Sequence, residues 1–120
     1  MQHRAPTNPE LADTIGFLKR KGRQTQTPLW TAVADYLGKS RRSRVVLNLG
    51  QVSRHASEGD TVVVPGKVLR SGDPAPKLTI AAFKFSPRAL LKVEKAGGRC
   101  IPISRLVEEN PQGTKVKLLR

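Results

Sequence analysis

Cysteine and histidine are scarce in this sequence of 120 residues, which contains one cysteine and two histidines. A single cysteine excludes an internal disulfide and a cysteine-based zinc site. Cys100 lies in an apolar run, which favours a small buried side chain over a nucleophile. Neither His3 nor His55 has a serine, cysteine or carboxylate partner at a spacing typical of catalysis. We therefore expect no enzyme activity, no metal and no cofactor.

Long apolar segments are missing as well. No part of the chain approaches the roughly 20 apolar residues that a membrane-spanning helix needs, and residues 1–10 lack the apolar stretch of a signal peptide. We expect a cytoplasmic protein with no membrane partner and no small-molecule substrate. The hydrophobic fraction of 38% becomes ordinary for a globular protein once glycine is added, so the chain should fold as one domain.

Acidic residues are few. Nine Asp and Glu stand against 22 Lys and Arg, which gives a formal net charge of +13. The segment KSRRSRVVLNLGQVSRH, residues 39–55, contains no acidic residue at all. Such an excess of positive charge opposes compaction through self-repulsion and favours a polyanionic partner. Nucleic acid is the commonest partner of this kind.

Aromatic residues are also few, and we interpret all of them as core residues: Phe17, Trp30, Tyr36, Phe83 and Phe85. Trp30 could instead stack on a base, although its spacing within an apolar helix face favours the core. No strand combines aromatic and basic residues as in an RNA-recognition module, and no convincing helix-turn-helix reader is apparent. A structured RNA, bound through its phosphates and its shape, is the better expectation.

Two amphipathic helices are predicted near the start of the chain. Asn8-Pro9 signals the beginning of the first helix, and Gly22 signals its end. Thr27-Pro28 repeats the signal for the second helix, which should end at Gly38. Their apolar faces, at helical spacing, consist of Leu11, Ile15, Leu18, Trp30, Val33 and Leu37. These faces predict that the two helices pack together.

Strands and helices alternate along the rest of the chain, which indicates an α/β fold. Strands are predicted over residues 45–48, 61–69 and 77–85, and within the segments RCIPI and KVKLL. Pro65-Gly66 predicts a bend or a tight hairpin; the segment PGK lacks the spacing of a phosphate-binding loop. Ser86-Pro87 should begin one helix and Ser104 should cap a shorter one.

The predicted architecture is an irregular α/β strand-strand-helix domain preceded by an N-terminal helical pair. We expect a single RNA-binding domain over residues 1–120. It divides into a flexible tail at residues 1–7, the helical pair at residues 8–38 and an α/β core at residues 39–120.

Two groups of cations are candidates for RNA binding by their position alone. The exit of the first helix carries Lys19, Arg20, Lys21 and Arg23. Capping of the negative end of the helix dipole would require only one or two of these charges, so an RNA-facing end is favoured. The following loop carries Lys39, Arg41, Arg42 and Arg44. Arginine is suited to this role because its planar guanidinium can bind a phosphate with two hydrogen bonds.

Further cations extend this candidate surface. Arg54 lies in the same acid-free segment, and Arg88 begins a basic face of the later helix that continues through Lys92 and Lys95. A solvated surface with counterions is a reasonable alternative for isolated residues such as Lys77 and Lys115.

The segment YLGKSRRSRVVLNLGQVSRHASEGDTVVVPGKVLRSG resembles the archaeal and eukaryotic ribosomal protein family called eighteen-e, which is related to the bacterial fifteen family. The segments TNPEL, LTIAAFKFSPRA, GGRCIPI and ENPQGTKVKLLR are similar to the same family, so the resemblance extends over residues 7–120. The short tails resemble archaeal members. Two positions depart from the family pattern: Gln51 stands where an arginine is expected, and Arg70 where a glycine is expected.

The resemblance implies a non-catalytic protein held in the large ribosomal subunit by ribosomal RNA (rRNA), next to other ribosomal proteins. It also implies that Lys67 and Arg70 contact rRNA, together with the basic loop. Two alternatives from other classes stay open at this point. One is a free, chromatin-type DNA-binding protein, and the other is an RNA-modifying enzyme whose catalytic groups the sequence does not reveal.

Overall fold

The structure is a computed structural model that describes residues 9–39 and 44–120. The expectations for Asn8 as a helix cap, for the tail and for Arg41 and Arg42 lie outside these residues. The described elements are, in chain order, α1 (Pro9–Thr25), α2 (Pro28–Leu37), β1 (Val45–Asn48), α3 (Leu49–His55), β2 (Thr61–Leu69), β3 (Thr79–Phe85), α4 (Pro87–Lys95), β4 (Arg99–Pro102), α5 (Ile103–Glu109) and β5 (Val116–Leu118). Two helices followed by alternating strands and helices confirm the predicted α/β fold.

All strand pairs in the sheet are parallel, and β2 is the strand that joins the others. One edge of β2 pairs with β3, which pairs in turn with β4. Its amino-terminal half also pairs with β5, starting at Thr61, and its carboxyl-terminal half with β1, starting at Gly66. Parallel neighbours need crossover connections. Helix α3 lies in the connection from β1 to β2 and α4 in the connection from β3 to β4, whereas a loop without a helix joins β2 to β3.

The Pro65-Gly66 segment bends β2 without interrupting it. The register between β2 and β3 shifts between Val64 and Lys67. The predicted bend is therefore confirmed, whereas a hairpin at this position is wrong. Glycine is required at position 66 because a Cβ there would collide with the carbonyl oxygen of Val45 on β1.

Helix α1 continues past Gly22, so the predicted end of the helix at this glycine is wrong. The physical reason is close packing against α2. A Cβ at Gly22 would lie 2.7 Å from Oγ1 of Thr31, and the carbonyl oxygen of Gly22 accepts a hydrogen bond from the N–H of Thr27. The glycine thus lets the two helices approach each other, and α1 ends at Thr25.

Helices cover both faces of the sheet, and alternate strand residues point into two apolar clusters. The first cluster joins α1, α2 and α5 to strand residues such as Val63 and Ala81. The second joins α3 and α4 to strand residues such as Val62 and Ile80. Burial on both faces explains why β2 and β3 read as nearly continuous apolar runs. The helical pair and the sheet therefore share one core.

Trp30 is completely buried in the first cluster, which confirms the core interpretation over base stacking. Its indole N–H donates a hydrogen bond of 2.7 Å to the carbonyl oxygen of Pro111. Phe17, Phe83 and Phe85 pack partly buried against the clusters. Tyr36 is half-buried, so its aromatic ring remains partly accessible.

Helix starts follow the predicted signals in one case and not in another. The Ser86 side chain accepts a hydrogen bond from the N–H of Ala89 at the start of α4, as predicted. Ser104 does not cap α5, because the helix already begins at Ile103 after Pro102. Ile103 is buried in the first cluster together with Leu106, and this packing sets where the helix begins.

Candidate nucleic-acid interface

The cations at the exit of α1 lie on its last two turns. Lys19, Arg20 and Arg23 are exposed. Lys21 is half-buried, with its Nζ 5.9 Å from the centroid of the Phe17 ring. Three of the four predicted residues are therefore exposed to solvent, and the fourth is positioned for a cation–π contact with an aromatic ring.

The two described ends of the basic loop are connected to each other. The Nε of Arg44 donates a hydrogen bond of 3.3 Å to the carbonyl oxygen of Lys39. The Nζ of Lys39 lies 5.5 Å from the centroid of the Tyr36 ring. The contact between Lys39 and Arg44 brings the start and the end of the loop together, beside the end of α2.

Tyr36 also links this loop to the end of the chain. The guanidinium carbon of Arg120 lies 5.5 Å from the centroid of the same ring. Arg120 lines a groove that also contains Arg54 and His55. The structure thus brings predicted residues Lys39 and Arg54 into one region around a terminal arginine that the sequence analysis did not identify.

A second groove, here called the β1 groove, contains Arg44, Lys67 and Lys84. Lys67 and Lys84 are register partners on β2 and β3, so their side chains stand next to each other. Lys84 was not predicted. Its sequence signal was a lysine within the strand segment AFKF, but only the strand register shows that it lies beside Lys67. The groove also exposes Val46, at 51% of its maximal accessible area.

A third region, here called the loop groove, lies where β2 and β3 end and α4 begins. Arg70 and Arg88 both line each of two adjoining depressions there, and Lys92 and Lys95 line one of them. Arg88, Lys92 and Lys95, predicted as a basic face of the helix, line one depression together. The Nζ of Lys92 also donates hydrogen bonds to the carbonyl oxygens of Arg70 and Gly72, at 3.0 and 2.9 Å, which the sequence did not predict.

The two departures from the family pattern have local explanations. Gln51 forms a reciprocal cap with Asn48 at the start of α3: each side chain accepts a hydrogen bond from the other residue's backbone N–H, at 2.8 and 2.9 Å. Arg70 does not require the backbone freedom of glycine. Among the described residues other than glycine, a positive φ occurs at Gln26, Lys77 and Lys115 and not at Arg70.

Ion pairs divide the cations into two sets. Over residues 9–39 and 44–120 the structure shows five ion pairs, and their basic members are Lys77, Lys84, Arg99, Arg105 and Lys117. None of these is a predicted RNA-binding residue. The ten predicted residues that the structure describes therefore have no carboxylate partner within the described part of the chain. They are Lys19, Arg20, Lys21, Arg23, Lys39, Arg44, Arg54, Lys67, Arg70 and Arg88.

The paired set holds the carboxylates in their charged form. Glu109 accepts hydrogen bonds from Arg99 at 2.7 Å and from Arg105 at 3.0 Å. These two guanidinium groups, Arg99 first, lower the pKa of Glu109 to about 2. Two hydrogen bonds lower the pKa of Asp60: the larger effect comes from the N–H of Ser57 and the smaller from the side chain of Lys117. These acids are thus already used to neutralise neighbouring cations.

Cys100 and the potential metal-binding side chains were the groups whose chemistry the sequence left to be located. Burial, followed by the nearby charge of Glu94, raises the pKa of the Cys100 thiol to about 12, so the thiol stays protonated at neutral pH. Cys100 is half-buried against the second cluster, somewhat less than predicted. No group of three or more potential metal-binding side chains occurs among the described residues. Within the same residues, no helix is both long and apolar enough to cross a membrane.

Comparison with known proteins gives matches over almost the whole chain. The family described as "Ribosomal protein 60S L18 and 50S L18e" matches residues 8–120. The large ribosomal subunit protein eL18 of Methanospirillum hungatei is 40% identical over 114 residues, which is 95% of this chain and 94% of the relative.

Two further archaeal relatives carry the same name. The protein from Methanococcus maripaludis is 42% identical over 113 residues, or 94% of each chain. The protein from Halobacterium salinarum is 42% identical over 114 residues, covering 95% of this chain and 97% of the relative. The similarity is long and continuous, and it confirms the resemblance found in the sequence. The chain belongs to the family of the ribosomal proteins 60S L18 and 50S L18e.

Proposed function

We propose that this chain is a structural constituent of the large ribosomal subunit that binds and stabilises folded rRNA through contacts of Arg and Lys with phosphates. It acts in the cytoplasm, within the ribosome, and so supports translation. Its partners are the large-subunit rRNA and neighbouring ribosomal proteins. The proposal includes no catalytic step, no cofactor and no small-molecule substrate. Residues 1–120 act as a single rRNA-binding domain, and the relation to the bacterial fifteen family is part of the same proposal.

The observation that carries this proposal is the division of the cations. Five described cations pair with Glu10, Glu58, Asp60 and Glu109, whereas the ten predicted binding residues that the structure describes have no acidic partner among the described residues. Nine acidic residues cannot pair with all 22 cations, so a surplus of positive charge remains whichever cations the acids neutralise. Cations without acidic partners in grooves and loops instead suit an external polyanion.

The proposed contact set combines residues on several elements. Its members are Lys19, Arg20, Lys21, Arg23, Lys39, Arg41, Arg42, Arg44, Arg54, Lys67, Arg70 and Arg88. They are distributed over α1, the basic loop, α3, β2, the loop after β2 and α4, and no single strand or helix carries them all. An arrangement on several elements of a rigid core suits an RNA that is recognised by its folded shape. Buried Trp30 supports the same conclusion, since base stacking would need an accessible ring.

Sedimentation tests the proposed function directly. A tagged chain, expressed in the source cells, should sediment with large subunits and 70S or 80S ribosomes in a sucrose gradient at low salt. Washing with high salt should release it, because its contacts are mainly with phosphates. A chain that stays at the top of the gradient would contradict the proposal.

Affinity measurements separate this function from general DNA binding. The purified chain should bind large-subunit rRNA more tightly than duplex DNA of equal length at the same salt concentration. A chromatin-type protein would bind both with comparable affinity, because the phosphate backbone supplies most of its binding free energy. Equal affinities together with a failure to sediment with subunits would favour that alternative.

A further inference from the structure

The loop between β2 and β3 is held by hydrogen bonds on both sides, although no strand or helix includes it. The N–H of Gly50, at the start of α3, donates a hydrogen bond of 2.9 Å to the carbonyl oxygen of Ser71. On the opposite side, the ammonium group of Lys92 on α4 bonds to the carbonyl oxygens of Arg70 and Gly72. Three successive carbonyl oxygens therefore accept hydrogen bonds from the protein itself.

Further along the loop, a serine side chain provides additional contacts. The hydroxyl of Ser53 on α3 donates a hydrogen bond of 2.7 Å to the carbonyl oxygen of Asp73. The hydroxyl oxygen of Ser53 in turn accepts a hydrogen bond of 3.0 Å from the N–H of Ala75. The loop that carries Arg70 is therefore fixed to α3 and to α4, and its backbone position does not depend on a ligand.

This fixed loop places Arg70 beside Arg88, which follows β3 on the first turn of α4. Both arginines line the two depressions of the loop groove, and no acidic side chain lines either depression. Neither arginine forms an ion pair with any described carboxylate. Two exposed leucines, Leu69 and Leu91, lie between and beside the cations. The start of α4 adds little by itself, because Pro87 has no N–H and Ser86 already caps the N–H of Ala89.

We infer that Arg70 and Arg88 form one binding site for the phosphate backbone of rRNA, and that Lys92 is a positioning residue that holds Arg70 in this site. The inference rests on the proposed rRNA-binding function and specifies one part of its surface. Two of the three N–H donors of the Lys92 ammonium group are already bonded to carbonyl oxygens, so at most one remains for a phosphate. The ammonium group neutralises the partial negative charge of those oxygens, which would otherwise repel a phosphate, and it fixes the backbone from which Arg70 extends.

RNA is favoured over an acidic protein segment by the kind of cations present. Two arginines with planar guanidinium groups, and Lys95 one helical turn away from Leu91, suit successive phosphates of one strand. The apolar surface of the two leucines is small and divided by these charges. An acidic protein partner is the outcome that the experiment below must separate from RNA.

A double-mutant cycle with the full-length chain and large-subunit rRNA tests the inference. The single variants are Arg70→Gln, Arg88→Gln, Lys92→Met and, as a matched control, Lys95→Met. Lys95 lies on the same helix and loses the same charge, but the structure gives it no contact with the loop carbonyls. We expect Arg70→Gln and Lys92→Met each to weaken binding about tenfold, and the double variant to be only slightly weaker than either one. Lys95→Met should weaken binding less and should add fully to Arg70→Gln.

Hydrogen exchange at two amides bonded to the loop provides a second readout that a phosphate contact would not change. The N–H of Gly50 bonds to the carbonyl oxygen of Ser71, and the N–H of Ala75 bonds to the hydroxyl of Ser53. In the free protein, Lys92→Met should increase exchange at these two amides, Lys92→Arg should largely restore their protection, and Lys95→Met should leave it unchanged. If Lys92→Met and Arg70→Gln are fully additive and exchange is unaffected, Lys92 is not a positioning residue and the inference is wrong.

Two outcomes concern the site itself and remain informative if Lys92→Met fails to fold. Arg70→Gln and Arg88→Gln should weaken rRNA binding, whereas Lys77→Gln, whose ammonium group pairs with Glu58, should not. If both arginine variants bind rRNA normally but lose a neighbouring ribosomal protein in reconstituted subunits, the groove binds protein and the inference is overturned. If the unmodified chain does not bind rRNA, the proposed function fails first and the inference with it.

Discussion

Lys67 and Lys84 are register partners on the neighbouring parallel strands β2 and β3, and both line the β1 groove. Only Lys84 has an acidic partner among the described residues, with its Nζ 3.2 Å from Oε1 of Glu10. Like charges at neighbouring positions of a sheet oppose its formation. The chain therefore keeps an unfavourable juxtaposition that an external anion beside Lys67 would relieve.

This relationship predicts different effects for two otherwise similar substitutions. Lys67→Gln should weaken binding to large-subunit rRNA about threefold to tenfold. The slope of the logarithm of the binding constant against the logarithm of the salt concentration should decrease by about one, which corresponds to one phosphate contact. Lys84→Gln removes the same charge but should change binding less, because that charge is already neutralised by Glu10. Filter binding at several salt concentrations provides the measurement. Equal losses for the two variants would show that strand register does not distinguish these lysines.

The basic loop should tolerate charge reversal in the free protein. The variant Arg41→Glu/Arg42→Glu/Arg44→Glu is expected to lose most of its rRNA affinity while its urea unfolding midpoint stays near that of the unmodified chain. A matched variant with the same change in charge, Lys77→Glu/Arg105→Glu/Lys115→Glu, should retain more of the affinity. If the loop variant instead unfolds, its arginines form ion pairs within the protein and the proposed contact is wrong.

Trp30 should contribute to stability and not to RNA recognition. Trp30→Phe removes the hydrogen bond to the carbonyl oxygen of Pro111 and leaves a small cavity, at a cost of roughly 1–3 kcal/mol in the free energy of unfolding. Its affinity for rRNA should be unchanged at temperatures where the variant is folded.

Fluorescence provides an independent check, because the chain has only one tryptophan. Acrylamide quenching should be weak in the free protein and should not change when rRNA is added. Strong quenching that rRNA removes would indicate an exposed ring that stacks on a base.

The ion pairs of Glu109 predict a pH dependence of stability. The pKa of Glu109 in the folded protein is about 2, below its ordinary value of 4.5, because Arg99 and Arg105 donate hydrogen bonds to the carboxylate. The resulting stabilisation is present above pH 4.5 and is lost as the pH falls through about 2.

Urea unfolding over this pH range checks that prediction. The midpoint of Glu109→Gln should lie below that of the unmodified chain at pH 6, and the difference should shrink towards pH 2. Because Glu109 lies at the surface, the effect should be small. If the difference between the two urea midpoints is the same at every pH, the lowered pKa of Glu109 is not the source of the stabilisation.

The sequence was sufficient to predict the parts of the fold that depend on local chemistry. Ser86-Pro87 predicted the start of α4, and Pro65-Gly66 predicted a bend or a tight hairpin, of which the structure has the bend. The predicted end of α1 was wrong because Gly22 serves a contact with α2, which is a tertiary feature. Ser104 failed as a cap because the packing of Ile103 determines where α5 begins.

The candidate surface was predictable as a set of residues but not as an arrangement. Charge excess identified most of the cations that have no acidic partner in the described part of the chain. It did not identify Lys84, which joins Lys67 through strand register, or Arg120, which joins Arg54 through the final strand and Tyr36. It also did not show that the loop between β2 and β3 provides the hydrogen-bond partners of Lys92. These relationships depend on contacts between residues far apart in the chain.

The salt dependence of rRNA binding tests the central claim most directly. If the cations without acidic partners neutralise on the order of six to ten phosphates, affinity for a large-subunit rRNA transcript should fall roughly a thousandfold or more between about 50 and 200 mM salt. The logarithm of the binding constant should decrease linearly with the logarithm of the salt concentration. An affinity that is nearly independent of salt would mean that these side chains do not contact phosphates.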